Sequence, residues 1–97
     1  MTEIVECQSL DEVRAHINRI DQEIVRLLAE RGGYVRQAAR FKQTTDDVRA
    51  PARVEQVIGR VRALAEEHGA SPDLVERVYR ALIAGYIDEE LAEHRRP

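Results

Sequence analysis

The sequence predicts an all-α fold, and three observations predict it. Apolar side chains recur every seven residues from Leu10 to Phe41, with no proline between them. Pro51 and Pro72 each open a further stretch with helical apolar spacing. No segment alternates apolar and polar residues as a half-buried strand would. The expected architecture is a three-helix chain with one long N-terminal helix. It forms a single domain over residues 1–97, with helices at about 9–42, 51–68 and 72–94.

The first helix starts at Ser9-Leu10-Asp11-Glu12, where Ser9 can cap the helix while Glu12 reaches back. Leu10, Ile17, Ile24, Arg31 and Ala38 form one heptad series, and Val13, Ile20, Leu27, Tyr34 and Phe41 the other. A helix running to Phe41 or Lys42 would be on the order of 50 Å long. Gly32-Gly33 is its weak point, at about 1 kcal/mol per glycine relative to alanine, and is where it would bend or break. The polar run from Gln43 to Ala50, with Thr44-Thr45-Asp46-Asp47, reads as a turn. The second helix puts Val54, Val57, Ile58, Val61, Leu64 and Ala65 on one face and ends at His68-Gly69. Ser71-Pro72 starts the third, which carries Leu74, Val75, Val78, Tyr79, Leu82, Ile83, Tyr86, Ile87 and Leu91 and frays near His94.

A seam about 50 Å long exceeds what helices of roughly 25 and 35 Å can cover. The expected solution is a second copy of the chain in an intertwined antiparallel homodimer, twofold dimers being the commonest oligomers.

Bulk composition excludes several functions. A net charge of −3, with acids and bases interspersed, lacks the clustered basic face of a nucleic-acid binder. No apolar run approaches the roughly 20 residues needed to span a bilayer, and the start, with Glu3 and Glu6, is unlike a signal peptide. The lone Cys7 fits a reduced cytoplasmic thiol. His16, His68 and His94 are far apart, so no metal site is expected.

Charge patterning is more informative. The chain has fourteen arginines and one lysine, Lys42. An ammonium is a compact point charge and a guanidinium a flat fork. Arg31 occupies a seam position where Leu or Ile belongs, and a charge there is costly unless paired. It reads either as an ion-pair partner of a carboxylate such as Glu30 or Glu90, or as a socket for an anionic ligand's carboxylate. Lys42 follows Arg31 by eleven residues, about three turns, which sets the two cations on nearly one face roughly 16 Å apart. Two long side chains at that distance can lean in on a small dianion. Arg14, seventeen residues before Arg31, is roughly 25 Å away and can join them only from an antiparallel partner chain. In Asp88-Glu89-Glu90, Glu90 follows Tyr86 by four and Ile83 by seven and so falls on the inward stripe, whereas Asp88 points out.

The ordered set Arg14, Arg31, Lys42, Arg53 and a polar residue at position 90 resembles the all-helical chorismate mutase family. The surrounding text, from "LDEVRAHINRIDQEIVRLLAERGGYVRQAARFK" through "APARV" to "YIDEE", agrees over roughly residues 8–94. Cys7, Tyr34, Phe41, Ala50-Pro51 and Tyr86 are most similar to the isochorismate pyruvate-lyase branch.

The resemblance implies a cofactor-free homodimer whose site takes Arg31, Lys42, Arg53 and Glu90 from one chain and Arg14 from the other, with Tyr86 as a substrate contact. It implies rearrangement of chorismate to prephenate, or cleavage of isochorismate to salicylate and pyruvate. Both reactions break an ether C–O bond pericyclically. Conformer selection by two arginines on the substrate carboxylates, and a lysine at the ether oxygen where charge develops, would suffice. The mutase is the first expectation because it is the commoner activity of the fold; the lyase is the alternative, and a catalytically silent helical dimer module the third. Two departures stand out. The family's glutamine is replaced by Glu90, which can donate to the ether oxygen only when protonated, so activity is expected to fall as pH rises. The mutase pattern has acids around the arginine of the second helix, where this chain has Ala50 and Val54. That fits isochorismate or a weak mutase.

Overall fold

The computed structural model describes residues 3–94. Its elements are α1 (Leu10–Ala39), α2 (Thr45–Arg49), α3 (Pro51–His68) and α4 (Pro72–His94), with no strand among the described residues. The three long helices therefore carry the fold, and α2 is a five-residue addition in the stretch that reads as a turn. The chain divides into two compact units, one through Tyr34 and one from Val35 onward. No helix among the described residues is long and apolar enough to cross a membrane.

In the first unit, the Ser9 hydroxyl accepts the Glu12 N–H at 3.1 Å. The returning carboxylate differs from the expected box: Glu12 accepts from the N–H of Gln8, at 2.8 Å, one residue upstream of the cap. The chain bends at Gln8-Ser9, and the Gln8 N–H is the donor that the glutamate one turn on reaches. The seam residues Leu10, Ile17, Ile20, Ile24 and Leu27 remain 45 to 60% exposed. The helix includes Gly32-Gly33, so the glycine pair does not end it, and Gly32 is buried.

In the second unit, regular α1 stops at Ala39, three residues short of Lys42. The N–H groups of Arg40, Phe41 and Lys42 instead reach back three residues, to the carbonyls of Gln37, Ala38 and Ala39. This tightened last turn satisfies carbonyls that a helix end otherwise leaves open.

The core lies between α3 and α4. Val57, Ile58, Val61 and Ala65 from α3 are each 4% exposed and meet Leu91 and the half-buried Val75, Leu82, Ile83 and Ile87 side of α4. Burying a side chain of this size contributes about 1.5–3 kcal/mol. Leu64, Leu74 and Val78 stay 43, 58 and 55% exposed, so the apolar faces of α3 and α4 are wider than their mutual contact. Gly69, at φ 75°, closes α3 in the left-handed conformation, with the Ala70 N–H bonded to the Ala65 carbonyl at 2.8 Å. Ser71 caps α4 through its hydroxyl and the Leu74 N–H.

Charged side chains stitch the same two helices. Arg62 of α3 donates to Asp73 and Glu76 of α4, at 3.0 and 2.7 Å. Arg80 of α4 donates to Glu76 and, with both terminal nitrogens, to Glu55 of α3 at 3.0 and 2.9 Å. The paired arginine holds Glu76 and Glu55 below their ordinary carboxyl range.

Candidate active site

Among the described residues of the second unit, Glu90 is the buried charged one, 8% exposed on the face of α4 that also carries Tyr86 and Leu91. A carboxylate so placed needs a donor. Lys42 supplies it: its Nζ donates to Glu90 Oε2 at 2.9 Å, with the lysine side chain 24% exposed. The pair bridges the end of the tightened turn after α1 and the last turns of α4.

Beside it lies an open cleft of about 670 Å³, walled by Val35, Arg36 and Ala39 of α1 and by Tyr86, Glu90 and Glu93 of α4. The volume is that of a small-molecule pocket. Its lining carries the guanidiniums of Arg36 and Arg40 and the carboxylates of Glu89, Glu90 and Glu93. Tyr86 and Glu90 are one turn apart and face the cleft together.

The remaining expected residues are placed as follows. Arg14 is exposed and Arg31 half-buried, both on α1 in the first unit. Arg53 sits exposed in the first turn of α3 and donates to Gln56 Oε1 at 2.8 Å on its own helix. Arg31 is itself engaged, Glu30 lies 3.7 Å from Arg26, and Glu90 is bonded to Lys42. The structure thus brings together Lys42, Glu90 and Tyr86.

One feature of this region is absent from the sequence reading. Asp47 Oδ2 accepts the N–H groups of Gln43 and Thr44, at 3.0 and 3.2 Å, and Thr44 Oγ1 accepts the Asp47 N–H at 3.1 Å. These bonds, the Gln43 N–H first and the Thr44 N–H second, hold the Asp47 carboxyl below its ordinary range, and the charge of Lys42 adds to the effect. The signal was available: Thr44-Thr45-Asp46-Asp47 has the Thr-x-x-Asp spacing of a capping box. Next in the chain, Val48 is 2% exposed, the anchor of α2, which packs on α4. Ala50 then takes φ 34°, ψ 61°, a left-handed conformation unusual for alanine, and turns the chain into α3.

The isochorismate pyruvate lyase of Pseudomonas aeruginosa is 36% identical over 86 residues, covering 89% of this chain and 85% of the relative. The chorismate mutase of Methanocaldococcus jannaschii is 30% identical over 77 residues, covering 78% of each. The family described as chorismate mutase type II matches residues 13–91, which take in every expected site position from Arg14 to Glu90, and the chain belongs to that family.

Proposed function

We propose that this chain catalyses the rearrangement of chorismate to prephenate. The observation that carries the reading is the Lys42–Glu90 pair beside a cleft of substrate size, with Tyr86 on the same wall. Membership in a family named for the mutase, and a relative bearing that activity, support it.

The reaction is unimolecular, so the site must hold one conformer and stabilise one developing charge. Arg31, with Arg14 from a partner chain, binds the two substrate carboxylates in the folded conformer. As the ether C–O bond lengthens, negative charge grows on its oxygen. The Lys42 ammonium donates to that oxygen most strongly at the transition state, which lowers the barrier rather than only tightening binding. Glu90 holds Lys42 in place before substrate arrives. Arg53 adds positive potential at the entrance. Electrons move in a closed ring within the substrate, so no nucleophile is required.

The homodimer belongs to this reading. The α1 seam, exposed from Leu10 to Leu27, carries the heptad spacing that suits a second copy of itself.

Isochorismate pyruvate-lyase activity is the second reading, favoured by Ala50 and Val54 and by the 36% identical lyase. Offering chorismate and isochorismate separately, and assaying prephenate and salicylate, distinguishes the two. Prephenate from chorismate supports the mutase; salicylate formed from isochorismate without prephenate from chorismate selects the lyase. A folded chain inert to both, with Lys42→Ala indistinguishable from the parent, rejects both in favour of a non-catalytic helical module.

A further inference from the structure

We propose that Asp47 is a positioning residue for Lys42: by binding the Gln43 and Thr44 N–H groups, its carboxylate fixes the chain immediately after Lys42 and so holds the ammonium at Glu90. The assignment of Lys42 to the reacting oxygen rests on the proposed function; the placement of Lys42 by Asp47 does not.

The chain from Lys42 to Val48 is attached to α4 at both ends. At one end Lys42 Nζ meets Glu90. At the other Val48, 2% exposed, seats α2 against α4. Between them, helix α1 has ended, and the Lys42 N–H is the last to reach back into it. The next two N–H groups, of Gln43 and Thr44, both converge on a single oxygen, Asp47 Oδ2. Thr44 returns a bond to the Asp47 backbone, so the clasp closes in both directions. Without it, the N–H groups of Gln43 and Thr44 lose the oxygen that gathers them, and only the bond from the Val48 N–H to the Thr44 carbonyl is left to tie Thr44 to α2; a four-carbon flexible stem multiplies any backbone shift at the ammonium. An error of about 1 Å in a group that acts on the reacting atoms can cost on the order of 100-fold in rate.

The test separates hydrogen bonding from charge. Asparagine keeps the accepting oxygen and removes the charge, whereas alanine removes both. Asp47→Ala is expected to lower kcat about tenfold or more with a smaller change in KM, and Asp47→Asn to stay within about threefold of the parent. Equal damage by both substitutions, or none by either, overturns the proposal.

A readout without substrate accompanies it. Urea unfolding of Asp47→Ala, Glu90→Gln and the double variant forms a cycle. If Asp47 places Lys42 at Glu90, the two substitutions couple by at least about threefold in the unfolding constant. Strict additivity overturns the proposal even in a chain that turns over neither substrate. Should Asp47→Ala not fold, Asp47→Ser, which withdraws the carboxylate from the Gln43 and Thr44 N–H groups but keeps a small polar side chain, takes its place in the same cycle and is read the same way.

Discussion

Lys42 and Glu90 are 48 residues apart in the chain and 2.9 Å apart in space, a lysine ammonium bonded to a carboxylate that is otherwise sealed from solvent. The lysine is therefore both a structural counterion and the proposed stabiliser of a transition state, and the two roles can be separated.

Lys42→Met leaves Glu90 buried without its cation. Breaking a fully buried pair costs about 3–5 kcal/mol; with Lys42 24% exposed, the expected loss is about 2–3 kcal/mol, read by urea unfolding. Lys42→Met combined with Glu90→Leu removes both charges and should recover most of that stability. Activity should not return: each variant lacks the donor at the ether oxygen and should fall about 100-fold or more in kcat. Stability and activity recovering together in the double variant would contradict the proposed role of the ammonium.

Glu90→Gln should raise activity at neutral pH. In the ion pair the Glu90 oxygen accepts from Lys42, so it competes with the substrate for the ammonium and offers the ether oxygen no donor. An amide still accepts from Lys42 through its carbonyl oxygen, without the competing charge, and its NH2 group can donate to the ether oxygen. A kcat/KM for the variant at or below the parent's at every pH would reject this account.

Much of this arrangement is legible in the sequence, because periodicity reports faces. Tyr86, Glu90 and Leu91 share the inward stripe of α4 by spacing alone, and the seam of α1 is visible without coordinates. The Asp47 clasp is less legible: the Thr-x-x-Asp spacing is there, but α2, at five residues, is too short to show the helical period that would mark it as a cap. The exposure of Leu64, Leu74 and Val78 is a different limit: an apolar face can be counted from the sequence, but which neighbour covers it cannot. Arg53 shows a third, since a position on a helix does not specify which acceptor the side chain takes; here it is Gln56.

The Arg80 clasp should make the α3–α4 contact sensitive to acid. Glu76 and Glu55 are held below their ordinary value of 4.5, chiefly by hydrogen bonds from Arg80. A carboxyl whose folded value is depressed contributes stability that is complete above the unfolded value and is lost as pH falls through the folded one. The melting temperature should therefore be level above about pH 5 and decline below about 4.5. Arg80→Ala should lower it at pH 7 and approach the parent by pH 3. Because these groups are exposed, salt should shrink the difference at pH 7. A gap between the two proteins that is constant with pH would mean that the clasp contributes through packing instead.

Ala50→Gly should stabilise the chain slightly. Alanine at φ 34° carries about 1–2 kcal/mol of left-handed strain. Glycine removes it and adds about 0.4–1 kcal/mol of unfolded-state entropy. A net gain of about 0.5–1 kcal/mol in urea unfolding is the expected result, and a loss would show that the alanine methyl makes a contact worth more than the strain.

Site sharing between two chains has the most direct test. Arg14 and Arg31 lie on one helix about 25 Å apart by its rise, too far to grip one small dianion from a single chain. If a partner supplies Arg14, then Arg14→Ala and Lys42→Ala chains are each inactive as homodimers, for different reasons. Mixed dimers contain one site with both defects and one with neither. Unfolding the two variants together and refolding them at equal ratio yields about half mixed dimers, each with one intact site of two, so about a quarter of the parent activity should return. Sedimentation should show a dimer in every sample. Were Arg14 to act within its own chain, each chain would carry one defect in its own site, and mixing would restore nothing.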